Sequence, residues 1–332
     1  MRSFRCTVCS STLYFENSVC LGCGSPVGFS RAERRVRVLG DDAVCVNARL
    51  NGCTWIVEAP GEQCGSCALT RTRPDDDNAV GLGRYALAEQ AKRRLVFELD
   101  ELGLPIVTRE QDPDRGLAFD LLSSRDTPVT TGHADGVVTI DLAESDDAYR
   151  ERLRIELDEP YRTMLGHLRH EIGHYYEMVL VLDEHSSWRG RVRDLFGDDT
   201  ASYAEALDRH YAEGAPQGWQ DAYVSQYATM HPYEDFAECF AHVLHVHDTV
   251  QTAGAFGLAV SVDAATLDFA SLISAVWLPL SYALNQVNRS MGQQDLYPFV
   301  LAPTVLDKLA LVGEIVAATG SASRVGRLRG TP

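Results

Sequence analysis

An α+β fold, mostly helical with a small sheet and headed by a small cysteine-rich domain, is predicted by three features of this 332-residue sequence. Eight of the nine cysteines lie within the first 67 residues. Two short runs, "LAFDLLS" at 117–123 and "GVVTIDL" at 136–142, have the apolar and β-branched make-up of strands. The rest of the chain is dominated by long stretches with apolar residues at helical spacing. At 45% hydrophobic and 23% charged residues, the composition is that of a globular protein, and the length suits one large domain with a smaller one.

The formal charge of -17 argues against a non-specific grip on nucleic acid, which needs a basic surface. The acid is unevenly spread. Residues 1–75 carry 9 Lys and Arg against 7 Asp and Glu, whereas residues 76–332 carry 21 against 40. The first segment also holds a basic cluster, "RAERRVR" at 31–37. The N-terminus, "MRSFRCTVC", lacks the apolar core of a secretory signal, and no run of about 18 uncharged apolar residues suggests a membrane span. A cytoplasmic protein with no membrane partner is expected, and in a reducing compartment clustered thiols are metal ligands more often than disulfides.

Cys6 and Cys9 form "CTVC", and Cys20 and Cys23 form "CLGC". A CxxC turn aims two thiolates at one ion, and a second such turn completes a tetrahedral shell without a large core. Cys45, Cys53, Cys64 and Cys67 are read as a second four-cysteine zinc site, although only the last two have knuckle spacing. Its alternative is a pair of buried thiols near Trp55 with an unused CxxC. A closed shell of four thiolates leaves no position for water, so these one or two zinc ions are structural. The segment 1–75 is therefore a zinc-ribbon-like domain, expected to scaffold or to bind a protein or nucleic-acid partner.

A boundary is expected at "RTRPDDDNAVGLGR", residues 71–84, with the main domain over 78–320. "GRYALAEQAKRRLVFELDELGL" follows as a helix stopped at Gly103. The two strands come next, separated by the glycine-containing turn "TGHADG". Region 148–182 is strongly helical, with Pro160 opening its second part. From about 262, "DAATLDFASLISAVWLPLSYALNQVNRSMG" and "LAPTVLDKLALVGEIVAA" read as helices with "DLYPF" as the turn between them, and the basic, glycine-rich end 321–332 as a flexible tail.

Inside the 148–182 helix stands "RHEIGHYY", residues 169–176. Residues four apart share a helix face, so His170 and His174 project side by side toward one ion. Glu171, beside His170, is placed to take a proton from a water activated by that ion. Apolar residues on both sides imply a buried helix, and buried histidines and carboxylates need partners. Gly173 inside the helix costs about 1 kcal/mol relative to alanine, which points to something packed closely against the motif.

Two histidines and a water leave a tetrahedral ion one ligand short. The HExxHxxGxxH pattern is excluded, because Leu180 stands where its third histidine would be. His185, in polar "DEHSS", is read as a surface residue. The better source is "HPYEDFAECFAHVLHV", residues 231–246, where Pro232 can open a helix and Glu234, Ala237, Glu238 and Ala241 share one face. Glu234 is assigned as third ligand, with Glu238, one turn on, holding a ligand histidine by its outer nitrogen. Exchanging the two glutamates is the alternative.

"GHLRHEIGHYYE", "YATMHPYEDFAECFAH" and the two N-terminal knuckles together resemble the zinc-binding metallopeptidases that carry an N-terminal zinc ribbon. The pattern of Glu234, Ala237, Phe240 and Ala241 is also similar to the third-ligand helix of the ImmA/IrrE-type regulatory peptidases and of the lethal-factor metalloproteases. These resemblances imply a zincin-like fold, one catalytic zinc, a peptide or protein substrate and the first glutamate as ligand. They imply hydrolysis by a zinc-activated water with Glu171 as general base. An oxyanion donor is also needed. Tyr227 is the choice because a tyrosine at that spacing is similar to the lethal-factor type, and His231 is its rival. Zincins take substrate as a strand along a sheet edge, for which "GVVTIDL" is the candidate.

Tyr175 and Tyr176 are read as core or cleft wall, and Cys239 as a small buried residue. His133 and Asp135 could border the cleft. His242, His245 and His247 receive no role. The alternative function is a zinc-stabilised regulatory or binding module, linked to nucleic acid through "RAERRVR", with a catalytically weak zincin fold.

Overall fold

The computed structural model describes residues 1–125, 128–146, 149–152, 163–259 and 268–329, the side chains of 323–329 excepted. The expected opening at Pro160 lies outside the described residues. By compactness the chain divides into Met1–Glu98, Val107–Asp147 and Gln251–Ser261 as one unit, and Leu99–Ile106, Ala148–Val250 and Val262–Pro332 as the other.

The first unit begins with three antiparallel pairs of very short strands: β1 (Phe4–Arg5) with β2 (Thr12–Leu13), β3 (Val27–Ser30) with β4 (Arg35–Val38), and β5 (Ala43–Val44) with β6 (Ile56–Val57). Strands this short bury little, and a cluster of rings supplies the core instead. Phe29 packs on Phe15 at 4.8 Å, on Trp55 at 5.0 Å and on Phe97 at 5.5 Å between centroids. β7 (Thr70–Thr72) begins three residues after Cys67 and joins a four-stranded sheet with β8 (Ala118–Leu122), β9 (Gly132–Ala134) and β10 (Val137–Asp141), in the order β7-β8-β10-β9. The cysteine-rich segment thus donates a strand to this sheet, and Arg71 Nε donates to Asp120 Oδ1 at 2.9 Å across the β7–β8 pair. Compactness for this reason does not cut the chain at residues 75–78.

β8 and β10 match the two expected strands within a residue at each end. The expectation that "GVVTIDL" is an edge is corrected. β10 is hydrogen-bonded to β8 on one side and to β9 on the other, so both its edges are used. β9 comes from the expected turn, which folds back through Asp135 and Gly136, both at positive φ. His133 Nε2 accepts the Gly136 amide at 3.1 Å and closes that turn. The first long helix, α1 (Ala79–Leu102), starts before the expected Gly83, with Asn78 Oδ1 accepting the Gly81 amide at 2.9 Å, and stops at Gly103, whose φ is 75°.

The second unit holds α2 (Met164–Tyr176), α3 (Arg189–Phe196), α4 (Tyr203–Glu213), α5 (Pro232–Ala255) as far as Val250, α6 (Leu278–Ser290) and α7 (Pro303–Arg329). Thr163 caps α2, its Oγ1 accepting the Gly166 amide at 2.9 Å. A π-helical turn, Glu177–Val181, continues that helix. Helical backbone runs to Arg329, through much of the segment expected as a tail.

α2 and α5 are locked together. A Cβ on Gly173 would sit 2.9 Å from Ala237 Cα and 3.0 Å from Ala237 O, which is the close approach that the mid-helix glycine signalled. Arg169 donates to His245 Nδ1 at 2.8 Å and to Asp248 at 2.9 Å. α7 holds the start of α5 through buried Lys308, which donates to Asp235 at 2.6 Å and to Ala222 O at 2.8 Å. Burial pushes Asp235 up, to about 7 even with Lys308 beside it. Tyr175, Tyr176 and Cys239 are fully buried, as expected. Among the described residues, no helix is long and apolar enough to cross a membrane.

Gly173→Ala is expected to drive the two helices apart. A loss of about 1–3 kcal/mol, the usual cost of overpacking, is expected in urea unfolding.

Candidate metal centre

In the second unit, α2 supplies two imidazoles and α5 one carboxylate to a single point. His170 Nε2 lies 2.9 Å from Glu234 Oε2, His174 Nε2 lies 3.3 Å from the same oxygen, and the two Nε2 atoms are 3.1 Å apart. Ligands about 2.05 Å from a tetrahedral ion stand about 3.3 Å from one another. The triangle is slightly contracted from that value, and all three residues are buried.

The chemistry of these donors asks for positive charge. His170 Nδ1 donates to Glu238 Oε1 at 2.7 Å, which leaves Nε2 of a neutral ring with a lone pair directed at a carboxylate oxygen and at a second imidazole nitrogen. With both rings neutral, His174 Nε2 carries the single proton shared among these three atoms, and a metal ion would take the place of that proton. Burial pushes His170 down, but its hydrogen bonds with Glu234 and Glu238 outweigh this and hold it well above the usual imidazole range. Burial likewise pushes Glu234 up, and His174 and His170 reverse that to well below the carboxylate range. Glu238 ends at about 2 because the His170 bond overcomes its burial. These residues fit a divalent zinc ion, with Glu234 at His170 Nε2, together with His174, and Glu238 at His170 Nδ1.

Glu171 is 4% exposed. Its Oε1 accepts from His167 Nε2 at 3.1 Å, while Oε2 is buried with no hydrogen-bond partner among the described residues. His167 was missed from the sequence, although its place one turn before Glu171 could have signalled it. Nearby Glu177 is pushed well up by burial and then by Asp199, Glu234 and Asp235.

Three tyrosines surround the centre. Tyr227, in a short turn before α5, has its ring 5.9 Å from that of His170. Tyr233 stacks on His174 at 3.9 Å. Tyr203, at the start of α4, donates its hydroxyl to Glu234 Oε1 at 2.8 Å. Neither Tyr203 nor Tyr233 was singled out from the sequence. Tyr203 is 31 residues from Glu234, and no spacing rule links them.

His231 is corrected as a candidate donor. Its Nδ1 accepts the Tyr233 amide at 3.1 Å, capping α5 ahead of Pro232, and its Nε2 donates to Ala201 O at 3.1 Å. Both ring nitrogens are spent on backbone. His185 is exposed, and His242 is buried with Nδ1 accepting from the Tyr297 hydroxyl at 2.7 Å.

The first unit contains the cysteine sites. Cys6, Cys9, Cys20 and Cys23 converge, as do Cys45, Cys53, Cys64 and Cys67. Sulfurs stand 3.7 Å apart for Cys6 and Cys23, 3.5 Å for Cys9 and Cys20, and 3.6 Å for Cys53 and Cys64. A tetrahedral zinc with bonds of about 2.3 Å puts its sulfurs about 3.8 Å apart. The irregularly spaced cysteines therefore form one cluster, against the alternative of two buried thiols and an unused knuckle.

The clusters differ in setting. Cys9 and Cys23 are exposed, and hydrogen bonding to the Ser11 side chain and backbone lowers the Cys9 thiol to about 6. All four sulfurs of the second cluster are buried. There Asn51 Nδ2 donates to Cys67 Sγ at 3.6 Å, and the Cys64 amide to Cys45 Sγ at 3.3 Å. α1 adds the fully buried pair Lys92 and Glu89, 2.6 Å apart.

Residues 81–315 match the model of a family described as "Putative zinc-binding metallo-peptidase", and residues 3–78 match that of a zinc-ribbon domain. Uncharacterized proteins of Mycobacterium bovis and of Mycobacterium tuberculosis are each 54% identical over 328 residues, covering 95% of this chain and 95% of their own. No solved structure matches the chain.

Proposed function

This chain belongs to the zinc-binding metallopeptidase family, and on that premise we propose that it hydrolyses peptide bonds, with His170, His174 and Glu234 holding zinc and Glu171 as general base. The observation that carries the reading is the meeting of two imidazole nitrogens and one carboxylate oxygen within 3.3 Å, together with a buried Glu171 oxygen that has no hydrogen-bond partner among the described residues. Zinc bound there supplies a Lewis acid that activates water and polarises a carbonyl.

The protein's residues divide the remaining work. Glu238 accepts the Nδ1 proton of His170 and so fixes the tautomer whose Nε2 lone pair faces the centre. His167 holds Glu171 Oε1, which leaves Oε2 to take a proton from the attacking water and then deliver it to the leaving amine. Burial, followed by the charge of Glu234, pushes the Tyr227 phenol well up. Tyr227 thus stays protonated at neutral pH, able to donate to the oxygen that gains charge as the carbonyl is attacked. The substrate is a peptide or protein, and the two cysteine-bound zinc ions fold the N-terminal segment.

The competing reading, a nucleic-acid module working through residues 31–37, has less support. Arg35 pairs with Glu33 at 2.7 Å, and Arg37 pairs with Asp42 at 2.7 Å and with Glu33 at 2.9 Å. Those cations are already partnered. A proteome-wide search for new N-termini tests the proposal. Termini produced by the wild type and absent with Glu171→Gln are expected, and identical sets from both would contradict it.

A further inference from the structure

Glu234 presents its two oxygens to different partners. Oε2 faces the imidazole nitrogens of His170 and His174, at 2.9 and 3.3 Å. Oε1 points to the other side and accepts from the Tyr203 hydroxyl at 2.8 Å.

This arrangement bears on how the carboxylate can bind an ion. A glutamate holds zinc through one oxygen or clasps it with both. The two-oxygen clasp requires Oε1 to turn toward the ion and give up its donor. The one-oxygen mode keeps that hydrogen bond and leaves a coordination position open, as a site that must admit water requires.

We propose that Tyr203 is a positioning residue that keeps Glu234 bound through Oε2 alone, and so holds the water position open. The inference rests on the reading of His170, His174 and Glu234 as the zinc ligands. Tyr203 is 40% exposed, and its ring stands beside those of His231 at 5.5 Å and Tyr233 at 6.4 Å. Tyr203→Phe keeps the ring and removes only the hydroxyl, so the variant is expected to fold, which a thermal melt checks.

The test reads the metal directly. In cadmium-loaded full-length protein, NMR separates a nitrogen and oxygen site from four-sulfur sites by chemical shift. With Tyr203→Phe, the nitrogen and oxygen resonance should move as a second carboxylate oxygen joins the ion, while the four-sulfur resonances stay in place. An unmoved nitrogen and oxygen resonance would overturn the role of Tyr203. The ligand reading is tested separately by Glu234→Ala. If that variant leaves the nitrogen and oxygen resonance intact, the ligand assignment fails, and this inference fails with it.

Discussion

Glu171→Gln is expected to lower peptide cleavage by about a hundred- to ten-thousandfold, the range typical for loss of a general base, without changing zinc content. The amide has nearly the shape of the carboxylate and still accepts from His167 through its oxygen. It cannot take a proton from water at neutral pH. Because Glu171 Oε2 has no hydrogen-bond partner among the described residues, the substitution disturbs little of the surrounding structure. Cleavage that survived in the variant would show that another group is the base, whereas loss of zinc along with cleavage would place Glu171 among the ligands.

The second large effect is expected in the N-terminal segment. Replacing Cys53 and Cys64 by serine should release one zinc and unfold the segment around Trp55. The energy at stake is that of a structural zinc site, on the order of 10–16 kcal/mol apparent at neutral pH. Cys45, Cys53, Cys64 and Cys67 are all buried, and α1 packs the Lys92–Glu89 pair against them, so without metal these thiols have few substitutes for the ion. Serine at Cys9 and Cys23, which are exposed, should also cost one zinc but leave the Trp55 environment intact. Near-ultraviolet circular dichroism with a chromogenic zinc chelator measures both, and equal structural loss from the two pairs would contradict this ranking.

Much of this was legible in the sequence because the relevant order is local. His170 and His174 share a face by helical period, and so do Glu234 and Glu238, which the structure then places on opposite sides of His170. Gly173 announced a close helix contact by its cost, and Gly103 ended α1 where a left-handed residue was needed. What depends on tertiary meeting was not legible. No spacing rule joins Tyr203 to Glu234, and strand order could not be read from strands recognised one at a time, so β10 was misplaced at an edge. His231 misled for a different reason. An imidazole just before a helix-opening proline can be a cap as easily as a donor, and its two ring nitrogens are committed to the backbone.

Zinc stoichiometry of the purified full-length protein tests the central claim most directly. Three ions are expected in the wild type, and two in a protein carrying both His170→Ala and His174→Ala, with the cysteine sites still filled. An equal count in the two proteins would contradict the account.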